Sequence, residues 1–203
     1  MKTKIERHKG LNMYLRKHEN YDEYVLHQIK KTANPKLRES LQGRWDGRKI
    51  HFLREFAKIH GMVPKGAKAV CLGARLGEEV EALNELDYDA IGIDLVPCEP
   101  LVIKGDFHDM PFDDLSFDLV YSNSVDHIYK LDKFVSEIKR VLRTPGFVYF
   151  RLASPEDYGN YESIRFEYID QIIQFFPRFQ VLLNESNKRE GRFERVNLLM
   201  KRS

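Results

Sequence analysis

The sequence predicts an α/β protein: a mostly parallel sheet covered by helices on both faces, ended by an antiparallel hairpin and preceded by helices. Three observations carry this. Between Lys65 and Leu152, short and almost continuously apolar runs alternate with amphipathic stretches, and strands of that kind separated by helices belong to parallel sheets buried on both sides. Near the carboxyl end only a polar loop joins two apolar runs, too short a connection for a parallel crossover, so those runs pair antiparallel. Ahead of Lys65 the apolar residues recur at helical spacing.

Taken in order, residues 1–20 alternate charge with scattered Leu, Met and Tyr and predict a frayed arm or a weak helix. YDEYVLHQIKK (21–31) places Tyr21, Tyr24, Val25, Gln28 and Ile29 at helical spacing, and Asn34-Pro35 ends it. RKIHFLREFAKIH (48–60) sets Ile50, Leu53, Phe56, Ala57 and Ile59 against Arg48, Lys49, Arg54, Glu55 and Lys58, with Gly61 as a stop. These two helices define an amino-terminal basic segment, 1–62, ahead of a main domain, 63–203. There AKAVCL is a buried strand, EEVEALNEL a helix, and DAIGID (89–94) and PLVIKGD (100–106) are strands that each end in an acid. FDLVYSN (117–123) is a fourth strand, KLDKFVSEIKRVLR (130–143) a helix and GFVYFRL (146–152) a fifth strand. SIRFEYIDQIIQFF (163–176) reads as a helix stopped by Pro177, and FQVLL (179–183) and FERVNLLMK (193–201) form the hairpin, which makes seven strands.

Composition narrows the class. A chain of 203 residues supports one well-buried core. No stretch is long and apolar enough to span a bilayer, and MKTKIERHKG lacks the apolar centre of a secretory signal, so a soluble, cytoplasmic protein is expected. Cys71 and Cys98 show no CxxC spacing, which supports neither a disulfide framework nor a metal site. The net charge of +2 is unevenly placed: residues 1–60 hold 15 Lys/Arg against 7 Asp/Glu, and residues 61–150 hold 9 against 16. A basic segment beside an acidic body is read first as a helical face packing on that body, and second as a contact for a partner.

The chemistry concentrates at CLGARLGEE (71–79), where a strand hands over to a helix. Such a corner brings backbone N–H groups and the positive end of a helix dipole to the carboxyl edge of a parallel sheet, where polar or anionic cofactors bind. Gly73 allows the sharp turn and Gly77 the close packing of the helix start. Asp94, 21 residues beyond Gly73, stands where it would accept hydrogen bonds from ribose hydroxyls. Neither GxxxxGK[ST] nor GxGxxG is present, and Glu78-Glu79 would repel a polyphosphate. S-adenosylmethionine, with a positive sulfonium, a ribose and a carboxylate that backbone N–H groups or Arg75 would meet, fits the corner.

With GDFHDMPFDDLSFDLVYSNSVDHI (105–128) and FVSEIKRVLRTPGFVYF (134–150), the stretch from about Ala67 to Phe150 resembles the class I S-adenosylmethionine-dependent methyltransferases, in particular their small-molecule, type 11-like subgroup. The resemblance implies a Rossmann-like, doubly wound seven-stranded sheet, S-adenosyl-L-methionine as cofactor and S-adenosyl-L-homocysteine as product. It implies that Leu72, Gly73, Ala74, Arg75 and Gly77 run along the methionine part, Asp94 holds the ribose and Leu95 packs on the adenine. Asp106 would accept from the adenine amino group beside Phe107, with Ser122 and Asn123 closing the site. The chain departs from the family at Cys71, usually an acid, and at Arg75, usually a glycine. Its short connection VPCEP, with Pro97, Cys98 and Pro100, is expected to rebuild the wall around the adenine.

Methyl transfer from a sulfonium asks the protein mainly to align the groups and exclude water, with a base where the acceptor carries a proton. SNSVDHI lacks the paired prolines of nucleic-acid amine methyltransferases. His127 is read as that base with Asp126 orienting it; the alternative is that His127 packs under the loop and Asp126 caps a helix. Trp45 or Arg48 is the expected lid contact. A small-molecule acceptor is therefore the first reading. An RNA methyltransferase using the basic segment, and a non-catalytic binding scaffold, are the alternatives.

Overall fold

The computed structural model describes residues 5–8, 13–153, 161–189 and 192–203. β1 (Ile5–His8) and β2 (Met13–Arg16) form an antiparallel pair that β8 (Ile164–Arg165) extends to a three-stranded sheet. The arm or weak helix expected over 1–20 is thus strand at 5–8 and 13–16 and irregular at 17–20; the parts at 1–4 and 9–12 lie outside the described residues. β2 is fixed by partners remote in sequence: Arg16 donates from its backbone N to Ser163 O at 2.8 Å and from Nε to Glu162 O at 2.7 Å.

Three helices follow where two were predicted. α1 (Tyr21–Thr32) starts at Asn20, whose side chain accepts from Glu23 N. Asn34-Pro35 ends α1 and also begins α2 (Pro35–Gln42), with the Asn34 side chain accepting from Leu37 N and Pro35 in the first turn, where a missing N–H costs nothing. α3 is Trp45–Ala57.

The main sheet uses β3 (Lys68–Leu72), β4 (Asp89–Asp94), β5 (Val102–Lys104), β6 (Phe117–Ser122), β7 (Leu142–Ala153), β9 (Phe179–Arg189) and β10 (Arg192–Arg202) in the order β5-β4-β3-β6-β7-β10-β9. β10 pairs antiparallel with β7 and β9, and the other pairs are parallel. The mostly parallel seven-stranded sheet with its carboxy-terminal hairpin is therefore as the sequence predicts. The chain builds outward from β3 through β4 to β5, then crosses back to β6, so the order reverses beside β3 and a crevice opens at the carboxyl ends of the strands there. Residues 163–176 are not one helix: β8 is followed by the short α6 (Asp170–Ile173). β8 exists because Ile164 and Arg165 pair with Leu15 and Tyr14, a partnership that local periodicity does not reveal.

Side chains alternate between two cores. On one face Val70, Leu72, Val120, Val148 and Phe150 pack with α5 (Leu131–Val141), which contributes Phe134, Val135 and Ile138. On the other, Ala69, Cys71, Leu119, Tyr121 and Tyr149 pack with Phe52 and Phe56 of α3 and Val80 and Leu83 of α4 (Glu78–Glu85). The uneven charge resolves here. Arg48 lies 2.5 Å from Glu78, Lys49 2.6 Å from Glu85, and Trp45 Nε1 donates to Glu81 at 2.8 Å, so the basic face of α3 lies on the acidic face of α4.

Of these contacts Arg48–Glu78 carries the most stability, because the Glu78 side chain is fully buried and has no other cation among the described residues within salt-bridge distance. Arg48→Ala is expected to destabilise the fold by about 2–3 kcal/mol, short of the ~3–5 of a fully buried pair because the guanidinium is 30% exposed. Urea unfolding of the two proteins measures it.

Candidate active site

The corner after β3 is built by β4. Gly73 N and Ala74 N both donate to Ile93 O, at 2.9 and 3.1 Å, and Gly77 N donates to Ala74 O at 2.8 Å. The Asp94 carboxylate accepts from Arg75 N at 3.1 Å and from Val96 N at 2.9 Å. The N–H groups of Gly73, Ala74, Arg75 and Gly77 are thus satisfied inside the protein, and Gly73 presents its bare Cα to the pocket. Gly73 has φ +74°, and a Cβ there would lie 2.8 Å from Ser124 Oγ and 2.9 Å from Ser124 Cβ. Gly77, at φ +99°, serves packing: a Cβ would lie 2.9 Å from Leu101 Cβ. Arg75 adopts φ +50°, the left-handed region that glycine enters without cost.

A pocket of about 430 Å³, counted out to its solvent mouth, opens against this corner. Gly73, Arg75, Asp94, Leu95, Phe107 and His127 line it from the sheet side, with Gly105 and Ser124. The opposite wall is α1, through Tyr24, Gln28, Lys31 and Thr32. The helix is fastened by Tyr24 Oη donating to His127 O at 2.9 Å and Gln28 Nε2 donating to Tyr161 O at 2.8 Å. Tyr24 also stacks on Tyr129 at 5.0 Å between ring centroids. These α1 residues were not among the sequence-derived site residues, although their i, i+4, i+7 spacing was a signal: one helix face carries a tyrosine, a glutamine and a lysine where a core-facing stripe would be apolar.

His127 is held by two contacts. Its Nδ1 lies 3.1 Å from Tyr161 O, which fixes the proton on Nδ1, and Nε2 accepts from Lys31 Nζ at 2.9 Å. Burial and then the charges of Lys31 and Arg75 lower its pKa to about 3, so the ring is neutral. Asp126 does not orient it: its Oδ1 is 3.9 Å from Nε2, outside hydrogen-bond reach. Lys31 is lowered to about 8, by burial and then by Arg75. Burial raises the Asp126 carboxyl, with Lys31 acting against it. Asp94 is likewise raised by burial, with the Val96 and Arg75 amides opposing.

The other predicted residues lie around the pocket. Asp106 accepts from the Tyr21 hydroxyl and, at 2.8 and 2.9 Å, from His108 N and Nδ1; burial pushes its carboxyl up, and these hydrogen bonds outweigh that and leave it below the usual range. Leu72 and Ala74 are buried in the cores behind the pocket. Ser122 Oγ donates to Leu72 O and accepts from Ser124 N, while the Asn123 side chain accepts from Ser124 Oγ. Pro97, Cys98 and Pro100 are not among the lining residues, because Cys98 pairs through its backbone with Val102 and folds the connection back along β5. Trp45 and Arg48 face α4, and the helix over the pocket is α1.

Residues 123–127 divide two spaces. Ser124 and His127 face the pocket just described, whereas Asn123, Val125 and Asp126 line a neighbouring one of about 310 Å³ with Arg151, Ile164 and Phe166. Below the corner, Glu79 is 2% exposed and its Oε2 has no hydrogen-bond partner among the described residues; burial raises its pKa to about 8. Burial also raises the Cys71 thiol, with the Glu79 carboxylate adding to it. Among the described residues, no group of three or more His, Cys, Asp or Glu is arranged to hold a metal ion, and no helix is long and apolar enough to cross a membrane.

Residues 70–150 match the family model described as "Methyltransferase domain". The chain is 39% identical over 54 residues to the fatty-acid O-methyltransferase of Mycolicibacterium smegmatis, a match covering 26% of this chain and 20% of that protein. It is 44% identical over 46 residues to the probable phthiotriol/phenolphthiotriol dimycocerosates methyltransferase 2 of Mycobacterium ulcerans, covering 22% and 18%. The chain therefore spans about a fifth of the length of these curated relatives. Among solved structures it superposes on the Burkholderia thailandensis 1,6-didemethyltoxoflavin-N1-methyltransferase, crystallised with 1,6-didemethyltoxoflavin and S-adenosylhomocysteine, with a TM-score of 0.63, 13% identity and coverage of 97% of this chain and 98% of that one. Residues 70–150 thus match a methyltransferase domain, and the chain as a whole shares the fold of that methyltransferase structure.

Glu79 makes a pH test of the corner. Its native pKa lies above the unfolded value, so between about pH 4.5 and 8 the native state binds the extra proton, and stability falls as pH rises through that window. Glu79→Gln is expected to remove this slope and to exceed the wild type in stability at pH 8 by a few kcal/mol, on the order of the shift itself. Thermal melts from pH 5 to 8 measure both proteins.

Proposed function

We propose that the protein transfers a methyl group from S-adenosylmethionine to a small-molecule acceptor. One observation carries the reading: a glycine corner with no room for a side chain and a buried carboxylate at the end of the next strand line one pocket, at the point where strand order reverses. The residues present fit the group. Each Asp94 oxygen takes one backbone N–H and keeps a lone pair for a ribose hydroxyl. Leu95 and Phe107 offer apolar surface to an adenine, and Lys31 and Arg75 would hold a carboxylate. When bound, the cofactor supplies a methyl group already activated on sulfur.

This chain's own work is positioning and the exclusion of water. α1 serves as the lid, drawn from the amino-terminal segment 1–62. His127, neutral and fixed by the Tyr161 carbonyl, positions Lys31. Proton removal from an acceptor that carries one falls to Asp126, which burial makes a stronger base than an exposed carboxylate. The basic face of α3 is taken up by Glu78, Glu81 and Glu85, which favours a small acceptor over RNA. The fatty-acid and lipid substrates named for the curated relatives are of the same broad class.

Calorimetry with S-adenosylhomocysteine tests the reading. A single saturable site is expected, and Asp94→Ala should weaken it by about tenfold or more, the worth of a charge-assisted hydrogen bond. The absence of saturable binding to the unaltered protein would overturn it.

A further inference from the structure

A further cavity, of about 510 Å³ counted out to its solvent mouth, lies between α3 and the end of the β7–β10–β9 sheet. On β7 the row facing α3 runs Phe147, Tyr149, Arg151, so an apolar strand face ends in a cation. Register places Arg151 opposite Asn197 and Asn197 opposite Glu185, and in the next row Arg195 stands opposite Ala153 and Asn187. Arg151 and Arg195 are thus diagonal neighbours on one face, an arrangement in which like charges repel.

The carboxylates nearby are already engaged. Glu185 takes Lys58 at 2.9 Å and the Asn197 amide at 3.3 Å, and Glu55 takes Lys58 at 3.3 Å. Neither guanidinium has a hydrogen bond or ion pair among the described residues. Their field reaches His51 on α3, which burial and then Arg151 lower, Arg195 and Arg48 in the same direction and Glu55 against them. Planar guanidinium groups match carboxylate and phosphate oxygens two at a time.

We propose that Arg151 and Arg195 bind an anionic group, a carboxylate or a phosphate, carried by the methyl acceptor. The cavity as an anion site stands on the two arginines alone; its occupant being the acceptor rests on the function proposed above. The link is Arg151, which also lines the pocket of Asn123 and Asp126 beside the cofactor crevice. An acceptor with its nucleophile at Asp126 reaches Arg151 with its acid group, so Arg151 is assigned as a specificity-determining residue.

The test uses octanoate, octanol and inorganic phosphate as probes, titrated into the full chain with and without S-adenosylhomocysteine, and follows the His51 ring by NMR. Octanoate or phosphate should bind saturably where octanol does not. Arg151→Gln and Arg195→Gln should each weaken that binding by about tenfold, with S-adenosylhomocysteine affinity unchanged within about twofold. Arg151→Gln should also raise the His51 pKa, a shift that mere loosening of the fold would not give in a protein with an unchanged melting curve. Stronger octanoate binding assigns a carboxylate and stronger phosphate binding a phosphate. Anion affinity unaltered in the double variant, or an unmoved His51 titration, overturns the proposal. Loss of S-adenosylhomocysteine binding in the unaltered protein, with the anion still bound, would instead remove the acceptor and leave the site.

Discussion

Four backbone N–H groups converge on two consecutive residues at the end of β4, and the site depends on that joint. The Ile93 carbonyl holds Gly73 and Ala74, and the Asp94 carboxylate holds Arg75 and Val96. The turn after β3 is therefore set by its neighbour strand and not by its own propensity alone. From it follow the left-handed backbone of Gly73, Arg75 and Gly77, the close approach of Gly73 to Ser124, and the place of the buried Asp94 in the wall of the crevice. Disturbing the joint would move the pocket wall and the start of α4 together, since Gly77 packs directly on Leu101 and Val102.

Much of the sheet was legible because each parallel strand is a compact apolar run bounded by a turn or an acid. DAIGID became β4 with the predicted bounds. The carboxy-terminal hairpin was legible from loop length. What escaped was structure made by distant partners. β2 and β8 pair across some 150 residues of sequence, and nothing local marks Ile164 and Arg165 as strand. The α1 wall was missed for a related reason: Tyr24, Gln28 and Lys31 were visible as one helix face, but only the fold says that this face looks into a pocket. In the site, Asp94 and Gly73 were identifiable by order along the chain. The pairing of His127 with Lys31 in place of Asp126 was not, because adjacency in sequence suggested a partnership that the one-turn helix at Val125–His127 does not allow.

The charge distribution has a structural origin. Segments of opposite sign meet as α3 on α4, and their ion pairs lie away from the crevice. The crevice keeps its own small set of charges, Asp94 against Lys31 and Arg75, with Asp126 in the neighbouring space; burial shifts Asp94, Asp126 and Lys31.

One detail of α1 reaches further than its energy. Tyr24 and Gln28 close the crevice by grasping main-chain oxygens of residues 127 and 161, not their side chains. A main-chain oxygen is the same whatever amino acid carries it. Over evolutionary time the two loops are free to exchange those residues and so retune chemistry or selectivity, while the latch itself persists unchanged.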